Sequence, residues 1–199
     1  INFSESLEKA GVTFGRTCMV TIYVTDMSKY DSLNNIYSKF LRMKGCDVDA
    51  PARACVCVQR LPLGAMVEIE AVAVKNGLSR TCFGVPDSDK TSFSEAVIAG
   101  SHGICWTSGQ ISTNIEKNLE DEAKSAFENL KSVLDAAKSS ATLTQKITVY
   151  LTSIKDYAAM NKAYKSVFLS HSSSPPPAWA AFAVVQLPQG RRVEVTAIS

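Results

Sequence analysis

Histidine, net charge and long apolar runs are all scarce in this chain, and each shortage removes a class of function. Only two histidines occur in 199 residues, His102 beside Gly103 and His171 amid serines. They share no motif spacing with a nucleophile and, with scattered cysteines, are too few to build a metal cluster, so they read as solvated loop residues. Basic residues number 21 against 19 acidic ones, for a net charge of +2, and only Arg191 and Arg192 are adjacent. Such a chain has no basic stripe, so nucleic acid is not an expected partner. No apolar run approaches the roughly 18 residues of a membrane span, and no signal-peptide pattern opens the chain. The six cysteines (Cys18, Cys46, Cys55, Cys57, Cys82 and Cys105) form no CxxC pair and mostly lie in strand-like apolar runs. They read as reduced thiols of a cytoplasmic protein rather than a disulfide framework.

What the chain does have is 46% apolar content, enough for one or two sizeable cores, and a sentence written twice. Pro51-Ala52-Arg53-Ala54-Cys55-Val56-Cys57-Val58 leads to Leu61-Pro62-Leu63-Gly64 and then Val67-Glu68-Ile69-Glu70-Ala71. At an offset of 126, Pro177-Ala178-Trp179-Ala180-Ala181-Phe182-Ala183-Val184 leads to Leu187-Pro188-Gln189-Gly190 and Val193-Glu194-Val195-Thr196-Ala197. Upstream, Thr21-Ile22-Tyr23-Val24-Thr25 answers Thr148-Val149-Tyr150-Leu151-Thr152, and Asn34 with Tyr37 answers Asn161 with Tyr164. The second copy also has a front end, Phe93–Val97 and Gly103–Ile111, for which the first has no counterpart. The expected organisation is a first unit over 1–75 truncated at its N-terminus, a linker over 76–90 and a complete second unit over 91–199. The whole reads as the tail of a longer protein.

Ala123, Ala126, Phe127, Leu130, Val133, Leu134 and Ala137 recur at helical spacing and predict an amphipathic helix over about 120–138. Its acidic start, Glu120 to Glu122, suits the positive end of the helix dipole. A second helix in each unit follows Met27-Ser28 or Ile154-Lys155. Short β-branched runs over 19–25, 53–58, 67–74, 96–99, 103–107, 146–152, 180–186 and 193–198 predict strands. A complete unit therefore reads β-β-α-β-α-β-β, an α+β fold with two helices on one sheet face. The other face is expected to stay apolar through Val56, Val58, Ile69, Val184 and Val195, and so to need a partner.

Arg53, Cys55 and Cys57 alternate onto one strand face, as do Glu68 and Glu70 on the strand that follows. If the connection pairs odd with even positions, all five share a face. A guanidinium there could clamp a small carboxylate bidentately, or it could form a structural Arg–Glu pair at an interface. The second copy has Trp179 in place of Arg53, Ala181 in place of Cys55 and Thr196 in place of Glu70. Trp179 reads as a ring that plugs the equivalent pocket, and Cys55 and Cys57 as small core residues.

These motifs resemble the RidA/YjgF family, also labelled endoribonuclease L-PSP. The carrying residues are Ser108-Gly109-Gln110-Ile111, Asn129-Leu130 with Val133-Leu134, Thr148-Val149-Tyr150-Leu151 and, most specifically, the run from Pro51 through Ala71. The resemblance implies chorismate-mutase-like units that assemble as trimers with clefts between units. It also implies hydrolysis of enamines and imines derived from amino acids, with no cofactor. Carried over residue by residue, it makes Arg53 the carboxylate binder and Glu68 the catalytic residue that positions water. Asn34 and Cys55 become pocket-lining residues, and Gly109 a backbone contact from the other copy. Phe93 departs from the cleft tyrosine of many active members. The tandem arrangement also resembles the C-terminal region of plant and fungal diphthine–ammonia ligases, whose ATP-binding domain lies upstream. No Ser-Gly-Gly-Lys-Asp run and no GxxxxGK[ST] motif occurs here. Two main expectations follow. One is an assembly module that self-associates or docks to such a domain, with one small-carboxylate site at Arg53 for a 2-imino or 2-keto acid. The other is an imine deaminase. An endoribonuclease is disfavoured by balanced charge and the lack of paired histidines.

Overall fold

The computed structural model describes residues 3–46, 49–84, 93–169 and 175–199. In the first unit, short helix α1 (Phe3–Lys9) precedes β1 (Thr17–Val24), α2 (Tyr30–Met43), β2 (Ala52–Cys57) and β3 (Val67–Ala73). β1 is central, parallel to β2 and antiparallel to β3, so the sheet order is β2-β1-β3. Parallel neighbours need a long crossover, which α2 supplies. Its inner residues Tyr37 and Leu41 cover Val20, Ile22, Cys55 and Cys57.

The second unit opens with β4 (Arg80–Phe83), β5 (Ala96–Ala99), β6 (Ile104–Thr107) and β7 (Gln110–Ile111). Then come α3 (Leu119–Ala136), β8 (Lys146–Leu151), α4 (Tyr157–Tyr164, continued as a π-turn over Lys165–Leu169), β9 (Ala178–Ala183) and β10 (Val193–Ile198). Its sheet runs β4-β5-β6-β10-β8-β9, with β7 also on β10. Within it, β9-β8-β10 repeats β2-β1-β3 with the same parallel and antiparallel senses. The repeated turns match in backbone as well: Leu63 and Gln189 have φ of 56° and 57°, and each precedes a left-handed glycine, Gly64 or Gly190. The protein is an α+β fold of two such units, with α3 and α4 covering Val149, Leu151, Val193, Val195 and Ala197 of the second sheet. Among the described residues no helix is long and apolar enough to cross a membrane.

Two expectations change on contact with the structure. β4 lies inside the segment read as a linker and extends the second sheet beyond β5; residues 85–90 of that segment lie outside the described residues. Ile69 and Val195 face the helices rather than the sheet's other side, because Ile69 pairs with Ile22 and Val195 joins the helix-facing core. Val56 and Val184 do lie on the opposite face. There, with Tyr150 and Leu187, they form an apolar cluster that joins the two units.

The free edge of β2 is what docks the units. An edge strand presents unpaired N–H and C=O groups, and the outward N–H groups of β2 are each satisfied by the second unit. Arg53 N–H donates to Ser108 Oγ at 2.8 Å, Cys55 N–H to the Glu194 carboxyl, and Cys57 N–H to the Gln186 carbonyl at 3.0 Å. In return Gly109 N–H donates to the Arg53 carbonyl at 3.0 Å and Val185 N–H to the Cys57 carbonyl at 2.8 Å. All six residues of β2 are buried. Nearby, Glu122, buried in the first turn of α3, accepts from the Arg192 backbone N–H and from its guanidinium. Arg191 donates to the Ser112 and Thr113 carbonyls. The adjacent arginines thus serve as struts behind the turn over Pro188–Gly190, not as a charge patch.

Candidate functional site

The seam made by the β2 edge opens into a cavity of about 170 Å³ to which both units contribute. From the first unit come Tyr30, Arg53 and Cys55; from the second come Phe93, Glu95, Gly109, Gln110, Gln189 and Glu194, among others.

Arg53 is 5% exposed, yet among the described residues it makes no ion pair. Its guanidinium donates to Asn34 Oδ1 at 2.8 Å and to the Tyr30 hydroxyl at 3.1 Å, both neutral acceptors. It also stands 5.0 Å from the Phe93 ring centre, 5.4 Å from that of Tyr37 and 5.8 Å from that of Tyr30. Aromatic faces and neutral oxygens hold a cation without cancelling its charge. The fork is therefore oriented while its charge remains available to an anion.

Glu194 faces it from β10 and is 3% exposed. Burial pushes its carboxyl up to about 8, against the opposing pull of Arg53 and of the Cys55 N–H. At neutral pH it is a carboxylic acid, with a proton to give and a carbonyl oxygen to receive one. Its Oε2 is buried with no hydrogen-bond partner among the described residues. Gly109 lies directly against this carboxyl, and a side chain at 109 would overlap its atoms, so glycine is required there by close approach. The Cys55 thiol is 3% exposed and burial pushes it up to about 12, which leaves it protonated and no nucleophile.

Of the sequence-predicted residues, Arg53, Cys55 and Gly109 meet at the cavity, and Asn34 holds Arg53 from behind. Glu68 does not join them. β1 lies between β2 and β3, and cross-strand pairing keeps Arg53 with Val20 and Ala71, and Cys55 with Ile22 and Ile69. Glu68 pairs with Tyr23 and Glu70 with Thr21, on the opposite face. Glu68 is exposed, in a groove with Phe3, Ser6 and Leu7, and Glu70 accepts from the Tyr23 hydroxyl at 3.2 Å. The carboxyl beside Arg53 is the repeat counterpart of Glu68, contributed by the second unit. Sequence reasoning passed over Glu95 and Tyr30 as site residues. The signal for Glu194 was present in the repeat itself, since a cleft between copies takes its halves from different copies.

Trp179, the counterpart of Arg53, packs into the helix-facing core of its unit, with ring centres 4.4 Å from Tyr164 and 6.3 Å from Phe127. His102 is exposed in the turn before β6, and His171 lies outside the described residues. Cys18, Cys55, Cys57, Cys82 and Cys105 form no disulfide among the described residues. Among the described residues no group of three or more His, Cys, Asp or Glu side chains is placed to hold a metal ion.

The comparisons with known proteins agree with the α+β fold. The model of the family described as Endoribonuclease L-PSP matches residues 1–75 and 87–199, and the chain belongs to that family. The human 2-iminobutanoate/2-iminopropanoate deaminase is 36% identical over 102 residues, covering 51% of this chain and 69% of the deaminase. A crystal structure of a putative endoribonuclease L-PSP from Entamoeba histolytica superposes with a TM-score of 0.53 at 33% identity. It covers 61% of this chain and 98% of its own. Escherichia coli TdcF with bound serine superposes with a TM-score of 0.51 at 29% identity, covering 55% of this chain and 87% of its own.

Proposed function

We propose that the seam cavity hydrolyses small 2-imino acids to 2-keto acids and ammonia, at one site per pair of units. The observation that carries this reading is the juxtaposition of an unneutralised, oriented Arg53 with a protonated Glu194 in one small cavity. Arg53 holds the substrate carboxylate as a bidentate pair, which places the imine carbon beside Glu194. Water adds its oxygen to that carbon. One water proton passes to the carbonyl oxygen of Glu194 while the hydroxyl proton of Glu194 passes to the imine nitrogen, so the carboxyl ends as it began. A second proton transfer from the carbinolamine hydroxyl to its nitrogen expels ammonia and leaves the keto acid. Several curated relatives carry the name of this activity. The test generates 2-iminobutanoate and 2-iminopropanoate with an amino-acid oxidase and follows keto acid and ammonia release. Acceleration over the uncatalysed rate is expected; a rate equal to buffer would end this reading.

A second reading, an assembly or regulatory module of a diphthine–ammonia ligase, is favoured by one observation. The outer edge of β9, counterpart of the β2 edge that docks the units, pairs with no strand among the described residues, and Phe182 and Val185 near it are 41% and 52% exposed. Trp179 leaves that unit without a carboxylate clamp. This surface is expected to drive self-association or docking onto an ATP-binding domain. Sedimentation at micromolar concentration should show species larger than 21.5 kDa; a compact monomer that also fails to bind such a domain would refute it.

A further inference from the structure

The cavity has a second charged wall. Glu95, just before β5, lines it alongside Gln110, and both its backbone and its side chain are held in place. Gln110 Nε2 donates to Glu95 Oε2 at 2.9 Å, and Ser108 N–H donates to the Glu95 backbone carbonyl at 2.8 Å. Gly84, at φ 63°, lies against its Cβ and Cγ so closely that any side chain at 84 would overlap them. Among the described residues the remaining oxygen, Oε1, makes no hydrogen bond, and Glu95 forms no ion pair. A surface glutamate has no need of such a shell; a carboxylate that must point one way does.

We propose that Glu95 is a specificity-determining residue, selecting ligands that carry a cationic nitrogen beyond the α-carbon. This rests on the reading of the cavity as an imino-acid site and names the substrate class that site prefers. A ligand whose carboxylate pairs with Arg53 and whose α-carbon stands at Glu194 turns its side chain toward the remaining walls. Those are Glu95 with Gln110, and the turn at Pro188 and Gln189. Of these only Glu95 is ionisable. Glu194 is protonated at neutral pH, so among the described residues the cavity's two charges are Arg53 and Glu95, one of each sign. A plain anion is attracted by the first and repelled by the second, whereas a ligand with a carboxylate at one end and an ammonium at the other satisfies both.

The test compares two amino acids that differ in a single charged group, 2,4-diaminobutyrate and 2-aminobutyrate, by calorimetry at pH 7. Wild type is expected to bind the diamino acid about tenfold more tightly or better, the range of a charge-assisted hydrogen bond. Glu95→Gln keeps the shape and an acceptor for Gln110, and should bring the two affinities together. Glu95→Asp, which retains the charge, should keep part of the preference. Equal affinities in wild type, no binding of 2,4-diaminobutyrate, or a preference that persists in Glu95→Gln would overturn the assignment. If 2-iminobutanoate is hydrolysed while the preference is absent, only the role of Glu95 falls. If neither amino acid binds and 2-iminobutanoate is not hydrolysed, the imino-acid site itself falls with it.

Discussion

Arg53→Ala is expected to abolish imine hydrolysis and the binding of short 2-keto acids while leaving the protein folded. Arg53 is the cation of the cavity, buried and oriented by Asn34 and Tyr30, and it makes no ion pair among the described residues. A ligand carboxylate brought into the cavity of such a variant loses water without gaining a counter-charge, a penalty of about 2–5 kcal/mol for a desolvated pair. That corresponds to a loss in kcat/KM of roughly thirtyfold to several thousandfold. Arg53→Lys should recover little of it, since an ammonium cannot present the planar fork and sits differently among the rings of Tyr30, Tyr37 and Phe93. Asn34→Ala is the milder control: it removes one acceptor and should raise KM more than it lowers kcat. Oxidase-coupled kinetics and NMR titration with 2-ketobutyrate decide the matter. Equal binding by wild type and Arg53→Ala, or shifts confined to residues around Trp179, would place the site in the wrong unit.

Glu194→Gln should lower kcat by about 10²–10⁴, the usual worth of a positioned acid–base group, while leaving ligand binding close to wild type. Glutamine can still accept from the Cys55 N–H but cannot exchange protons with water and the imine. The same residue governs a pH effect on stability. Folding raises its pKa from the ordinary 4.5 to about 8, so the folded protein retains a proton that the unfolded chain releases. The stability this contributes is complete below pH 4.5 and declines as pH rises toward 8, by as much as about 5 kcal/mol if the whole shift is expressed. Urea melts across pH 5 to 9 should show that decline in wild type and a flatter profile in Glu194→Gln. In parallel, wild-type kcat/KM should fall above pH 8 as the acid is lost. Rates that rise through pH 8, or identical stability profiles in the two proteins, would remove Glu194 from the mechanism.

The strands and helices were legible because their signals are local. Alternation in 193–198 and helical spacing in 120–138 report which side of each element is apolar, and β10 and α3 appear within a residue or two of those bounds. β4 and β7 escaped notice because Arg80-Thr81-Cys82-Phe83 and Gln110-Ile111 carry no run of aliphatic and β-branched residues like the one that marked β5. β4 exists because the open edge of β5 accepts it.

The sequence by itself also determined the repeat, the loss of the arginine from its second copy and the singling out of Arg53, since these are facts of residue identity at matched positions. It could not choose between Glu68 and Glu194, because the repeat writes a glutamate at the same position in both copies and nothing local distinguishes them. Tertiary structure made the choice in two ways. The interposition of β1 turns Glu68 away from Arg53 by the parity of strand pairing. The edge of β2 then spends its free N–H groups on the second unit, burying Glu194 against Gly109 and the Cys55 N–H. Burial there, and solvent around Glu68, make one glutamate a neutral acid in a cavity and leave the other on the protein's exterior.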